Sequence, residues 1–131
     1  IEEFFELLDL SSKADVQIKD YSNGMKKKTA LAAALLHEPK ILFLDEPFTG
    51  MDAMSVIKVR RLIEALREQG TTIFFSSHIL EVVEKLCSRI GIIVNGCLRE
   101  EGTAQKMMDS YKVESLEELF LNLTPAEGLR E

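Results

Sequence analysis

The segment Ile41-Leu42-Phe43-Leu44-Asp45-Glu46-Pro47 decides the fold. Four apolar residues in unbroken succession, stopping abruptly at two carboxylates and a proline, read as a short buried parallel strand. Upstream, Ser22 is placed to cap a helix rich in Ala and Leu that runs to about His37. Glu38-Pro39 ends it, because the residue before a proline avoids the helical region. Downstream, a turn at Thr49-Gly50 leads into a helix over about 53–69, with Val56, Val59, Ile63 and Leu66 on one face and Gly70 at its C-terminal cap. Thr71–Ser76 is rich in β-branched and aromatic residues and predicts a second strand. Ser77 and His78 follow it directly, and a short helix continues to about Leu86.

The flanks extend the same pattern. Residues 2–10 place Phe4, Phe5, Leu7 and Leu8 on one helical stripe, and 11–21 read as a polar connection. Residues 90–94 and 97–101 flank Asn95-Gly96, the strongest short hairpin signal. Two helices finish the chain, the second opened by a capping box of Ser115 with Glu118. Strands alternating with helices predict an α/β fold with a mostly parallel sheet. There is no internal repeat, low-complexity tract or interdomain linker.

The 131 residues suffice for one ordinary domain with a sizeable core. With 46% hydrophobic and 29% charged residues, the composition is that of a soluble, globular, intracellular protein. A net charge of −6 argues against a nucleic-acid partner held by bulk electrostatics. No run approaches the roughly 18 apolar residues that would span a bilayer. The opening Ile1-Glu2-Glu3-Phe4 is acidic where a signal peptide would be basic, so work at a membrane would need a partner. Cys87 and Cys97 form no C-x-x-C, have no nearby His, and read as two core thiols in a reducing compartment; zinc is not indicated.

Open α/β sheets put ligand sites beyond the carboxyl ends of their strands. Asp45 and Glu46 stand at one such end, Ser77 and His78 at the next. Successive strand residues point to opposite faces, so adjacent acids can serve a metal and a water respectively. A strand-end carboxylate also serves commonly as a cap or a solvated end, so this feature alone is only moderately specific. A second constellation is Tyr21-Ser22-Asn23-Gly24-Met25-Lys26-Lys27-Lys28. A helix start of this kind exposes backbone N–H groups and favours an anion by about 0.3–1 kcal/mol. Gly24 would let a ligand approach the backbone. The plain alternative is a capped helix with a solvated lysine run.

Taken in order, these motifs resemble the ABC ATPase family. Tyr21-Ser22-Asn23-Gly24-Met25 is similar to the signature segment, usually L-S-G-G-Q. Ile41–Pro47 is similar to the Walker B strand with its glutamate, Gly50-Met51-Asp52 to the D-loop, and His78 to the switch histidine. The resemblance runs on through the Asn95-Gly96 hairpin to the Ser115–Leu123 helix. Asn23 and Met25 depart from the signature but match a Y-S-x-G-M form that resembles exporters. Met25 lacks the amide of glutamine and cannot offer the contact that amide makes in the family.

The resemblance implies a partial P-loop NTPase (RecA-like) sheet with flanking helices. Residues 1–131 would be the C-terminal part of the ATPase domain, about 1–37 ending the helical signature region and about 38–131 carrying the catalytic core, hairpin and terminal helices. It implies ATP and Mg²⁺ as cofactors, with Asp45 holding Mg²⁺ through a water. Glu46 would be the general base and His78 would contact the γ-phosphate or steady the glutamate. Ser22, Asn23, Gly24 and Met25 would meet ATP held by a second, head-to-tail ATPase subunit, and Asp52 would cross the same interface. The partners implied are that subunit and membrane-spanning transporter subunits, at the cytoplasmic face of the cell membrane.

No glycine here is followed by lysine, so the G-x-x-x-x-G-K-[ST] phosphate loop (Walker A) is absent and this chain alone is expected to be inactive. In the family the strand bearing that loop lies between those near 71–76 and 90–94. Without it these two must pair directly or leave unpaired edges and an uncovered apolar face, so self-association is expected. The function implied is an ABC exporter subunit that binds and hydrolyses ATP. The alternatives are a soluble ABC ATPase acting on ribosomes or DNA, and a non-catalytic interaction module.

Overall fold

A computed structural model describes the backbone of residues 2–124 and the side chains of residues 5–124. The chain divides after His78 into two compact units.

In the first unit, helix α1 (Glu2–Leu7) leads through short 3-10 turns to α2 (Asn23–Leu35), β1 (Ile41–Leu44), α3 (Ala53–Glu68) and β2 (Thr72–Phe75). Leu8 and Leu10 are fully buried, whereas Leu7 is exposed; Phe4's side chain lies outside the described residues. Of the expected stripe, Leu8 is therefore covered, Phe5 partly so, and Leu7 is not. Within the polar connection, Tyr21 is buried and its hydroxyl donates to the Lys13 carbonyl at 2.7 Å. Ser22 caps α2, accepting the Met25 N–H at 3.2 Å. The helix stops at Leu35, and Glu38 adopts a left-handed φ of 47° just before Pro39. Gly70 (φ 94°) follows α3 where the left-handed residue after a helix belongs.

β1 and β2 are parallel, with Leu44 opposite Phe75. The strand positions are as expected, but β1 is not buried on both faces. Leu42 is covered, while Phe43 and Phe74 are 74% and 67% exposed and touch each other at 5.7 Å between ring centres. The apolar run thus reflects a face that this chain leaves uncovered. On the covered side Phe48 stacks edge-on against Phe75 at 5.8 Å, and Leu42, Val59 and Ile63 are buried.

The second unit holds α4 (Leu80–Leu86), β3 (Ile90–Val94), β4 (Cys97–Gly102), α5 (Ala104–Tyr111) and α6 (Leu116–Leu123). β3 and β4 form an antiparallel hairpin whose Asn95 (φ 52°) and Gly96 (φ 75°) both have positive φ, as a two-residue type I′ turn requires. Ile90, Ile92 and Val94 face inward with Met107, Met108 and Leu119 in the same core. Among the described residues there is one parallel and one antiparallel pair rather than a mostly parallel sheet. Ser115 caps α6 through the Glu118 N–H at 3.1 Å, but the Glu118 carboxylate reaches back to the Glu114 N–H, one residue earlier than a capping box would have it. Cys87 is half-buried, its thiol pushed up to about 11 by desolvation; Cys97 is exposed, so only one of the two thiols approaches the core role expected of both.

Candidate functional site

The parallel register sets the site. Because Leu44 faces Phe75, the residues just beyond them, Asp45 and Ser76, meet. The Ser76 hydroxyl donates to Asp45 Oδ1 at 2.6 Å and accepts the Glu46 N–H at 3.0 Å, joining the two strand ends. Ser76 was legible only as the last residue of a strand, since its role depends on which residue of β1 it faces.

Glu46 is held through both its backbone and its side chain. Its φ of 46° lies in the left-handed region, which costs a non-glycine residue on the order of 1–3 kcal/mol unless its surroundings enforce it. Ser76 takes its N–H, while the Thr49 N–H (3.3 Å) and the Lys27 ammonium both donate to its carbonyl. The side chain then turns so that Oε2 accepts the Thr49 hydroxyl at 2.9 Å and lies 2.9 Å from His78 Nδ1. The hydrogen bond from His78 does most to hold the Glu46 carboxyl below its ordinary value of 4.5, with smaller help from Thr49 and from the charges of His78 and Lys27. Partial burial opposes this. His78 is 68% exposed, so its ring is anchored at one nitrogen while much of it faces solvent.

Asp45 and Glu46 therefore take different partners, as adjacent residues at a strand end can. Among the described residues no group of three or more His, Cys, Asp or Glu converges as a metal cage. The exposed Asp45 carboxylate fits Mg²⁺ nonetheless, since that ion keeps several waters and commonly takes only one or two carboxylates plus phosphate oxygens.

The start of α2 packs against the Gly50–Asp52 turn. A Cβ on Gly24 would sit 2.8 Å from the Gly50 carbonyl oxygen, and one on Gly50 would be 3.7 Å from Asn23 Cβ. Gly24 is buried, so its want of a side chain is explained by the turn against it and needs no ligand. Ser22, Asn23 and Gly24 thus lie in the same unit as Asp45, Glu46, Asp52 and His78. Met25 contributes its N–H to the Ser22 cap. Asp52 caps α3, accepting the Ser55 N–H at 3.0 Å and the Ser55 hydroxyl at 2.6 Å. Its carboxyl is lowered chiefly by the Ser55 hydroxyl and then by the Ser55 N–H. The lysine run is not a uniformly solvated face: Lys26 is exposed, Lys27 is half-buried on Glu46, and Lys28 is buried.

A family model described as "AAA domain, putative AbiEii toxin, Type IV TA system" matches residues 2–84, which include the signature segment, β1, the Gly50–Asp52 turn and His78. An uncharacterized ABC transporter ATP-binding protein of Synechocystis sp. is 44% identical over 100 residues, covering 74% of this chain and 28% of that protein. The chain belongs to the ABC transporter ATP-binding family. Among its relatives, Nod factor export ATP-binding protein I of Bradyrhizobium diazoefficiens is 37% identical over 106 residues, covering 81% of this chain and 35% of that protein. The solved structure of an ATP-binding subunit of an ABC transporter superposes with a TM-score of 0.85 at 28% identity, over 92% of this chain and 51% of the other. This ABC chain thus spans about a third of the length of those curated relatives and half of that solved subunit. The fold it carries is an α/β portion of the ABC ATPase fold. Among the described residues no helix is long and apolar enough to cross a membrane.

Proposed function

We propose that this chain is the signature- and glutamate-bearing part of the ATPase subunit of an ABC exporter, working with a phosphate-binding loop that the chain itself does not contain. The observation that carries the reading is Glu46, fixed in a left-handed backbone at the end of β1, with its carboxylate gripped by His78 and Thr49. Phosphoryl transfer to water depends on positioning and charge neutralisation, and a steadied carboxylate beside an exposed imidazole supplies both a proton acceptor and a polar contact for a γ-phosphate oxygen. Mg²⁺, bound with ATP, would neutralise phosphate charge. Asp45 is the residue that would hold it, through a water, with Ser76 fixing one of the aspartate oxygens.

In this reading residues 38–131 are the C-terminal part of a P-loop NTPase core, and residues 1–37 end the helical signature subdomain. Ser22, Asn23, Gly24 and Met25 meet the nucleotide of a second, head-to-tail ATPase subunit, and Asp52 crosses to that subunit. The other partners are membrane-spanning subunits at the cytoplasmic face. Relatives described as transporting bacitracin or exporting Nod factor support the exporter class. No nucleic acid is involved, in keeping with the net charge of −6.

The test is Mg-ATP titration and turnover, for this chain alone and for a protein extended upstream to supply the phosphate loop. The chain alone is expected not to bind, and the extended protein to bind and hydrolyse. Glu46→Gln in the extended protein should keep binding and cut turnover by about 10²–10⁴-fold. Binding without hydrolysis in the unsubstituted extended protein would refute the catalytic reading.

A further inference from the structure

We propose that Lys28 is a positioning residue: acting through the Ser55 hydroxyl, it orients the Asp52 carboxylate and so fastens the Gly50–Asp52 turn to the signature helix. Lysine is almost never fully buried unless paired. Lys28 is only 7% exposed, and its ammonium lies 3.3 Å from Ser55 Oγ, itself on a residue 5% exposed. The Ser55 hydroxyl in turn donates to Asp52 Oδ2 at 2.6 Å. An ammonium only donates, a carboxylate only accepts, and a hydroxyl does one of each, so the chain Lys28 to Ser55 to Asp52 has a single consistent direction. Donating to Ser55 polarises its O–H towards Asp52, which strengthens the second bond. The carboxylate's other oxygen takes the Ser55 N–H, so both oxygens are committed and the carboxylate cannot turn freely.

A separate contact supports the same fastening. Gly24 and Lys28 are four residues apart on α2 and therefore share a helix face. Gly24 meets the Gly50 carbonyl at the front of the turn, and Lys28 meets Ser55 behind it. One face of the signature helix thus grips both ends of the segment that carries Asp52. The charge of Lys28 also contributes, after the two Ser55 hydrogen bonds, to holding the Asp52 carboxyl below its ordinary value. The functional meaning rests on the proposed reading: if Asp52 crosses to a second subunit, Lys28 makes its orientation depend on the helix that meets that subunit's nucleotide.

The test uses this chain and reads Asp52 itself. The carboxyl resonance of Asp52 is followed through an acid titration in the parent, Lys28→Met, Ser55→Ala and the double variant. Asp52 is expected to titrate at higher pH in each single variant, the double variant to shift by less than the sum of the two single shifts because the direct charge of Lys28 is all that remains to lose once Ser55 is gone, and Lys28→Arg to restore the parent midpoint. The Ser55 amide should exchange roughly fivefold faster or more in Lys28→Met, the loss expected when about 1 kcal/mol of local restraint goes. An unmoved Asp52 midpoint in Lys28→Met, or fully additive shifts in the double variant, would overturn the relay. Should Lys28→Met fail to fold, Ser55→Ala decides: the Lys28 ammonium protons must exchange faster than in the parent, and unchanged exchange refutes the contact. No arm requires ATP, so failure of the ATPase reading and failure of this relay are separately visible.

Discussion

Replacing Gly24 by alanine tests the packing of the signature start by sign as well as size. Gly24 lies within the first turn of a regular helix, where backbone preference alone favours alanine by up to about 1 kcal/mol. The structure reverses this expectation. The new Cβ would stand 2.8 Å from the Gly50 carbonyl oxygen, closer than real Cβ contacts come, and 3.5 Å from Met51 Cα. The obstruction is backbone, and it belongs to a turn in which Gly50 already has φ 78°, so no side-chain rotation relieves it. Overpacking of this kind costs about 1–3 kcal/mol, which after the propensity gain leaves a net loss of up to about 2 kcal/mol. The assay is urea unfolding followed by far-ultraviolet circular dichroism, with amide spectra recorded for both proteins. The variant should unfold at lower urea, and the amides of Gly50, Met51 and Ser55 should shift most. A variant as stable as the parent or more so, with those amides unmoved, would show that the turn does not press on Gly24.

Two further outcomes follow from the same geometry. Glu46 has a lowered carboxyl, so its contribution to stability is fully present above its ordinary value of 4.5 and disappears as pH falls through its lower folded value. His78→Ala should move the Glu46 midpoint up towards 4.5 in a carboxyl titration, and an unmoved midpoint would mean the 2.9 Å contact does not persist in solution. Phe43→Lys removes an aromatic ring that is 74% exposed; it should change stability by less than about 0.5 kcal/mol while reducing self-association in sedimentation velocity.

The site was legible from sequence in its parts and not in its connections. Asp45, Glu46 and His78 were marked by standing just past apolar strands, a position set by a few neighbouring residues. Ser76, Thr49 and Lys27, which hold those side chains and the Glu46 backbone, carry no such mark. Ser76 follows a strand as many serines do, and its role appears only once Leu44 is known to face Phe75. Three successive lysines look alike in sequence, yet one is solvated, one donates to Glu46 and one is buried.

What the sequence determined by itself is local: the Ser22 and Ser115 caps, the stop before Pro39, the Asn95-Gly96 turn, the extent of β1 and the position of β2 to within a residue at each end. Each depends on φ preferences and hydrogen bonds closed within a few residues, so neighbours in sequence suffice to specify it. Tertiary structure alone decided that the apolar run of β1 has one uncovered face, that Gly24 makes room for Gly50, and that Lys28 enters the core to meet Ser55. These depend on which segments lie against one another, and no residue carries in its own identity the name of the residue that packs upon it.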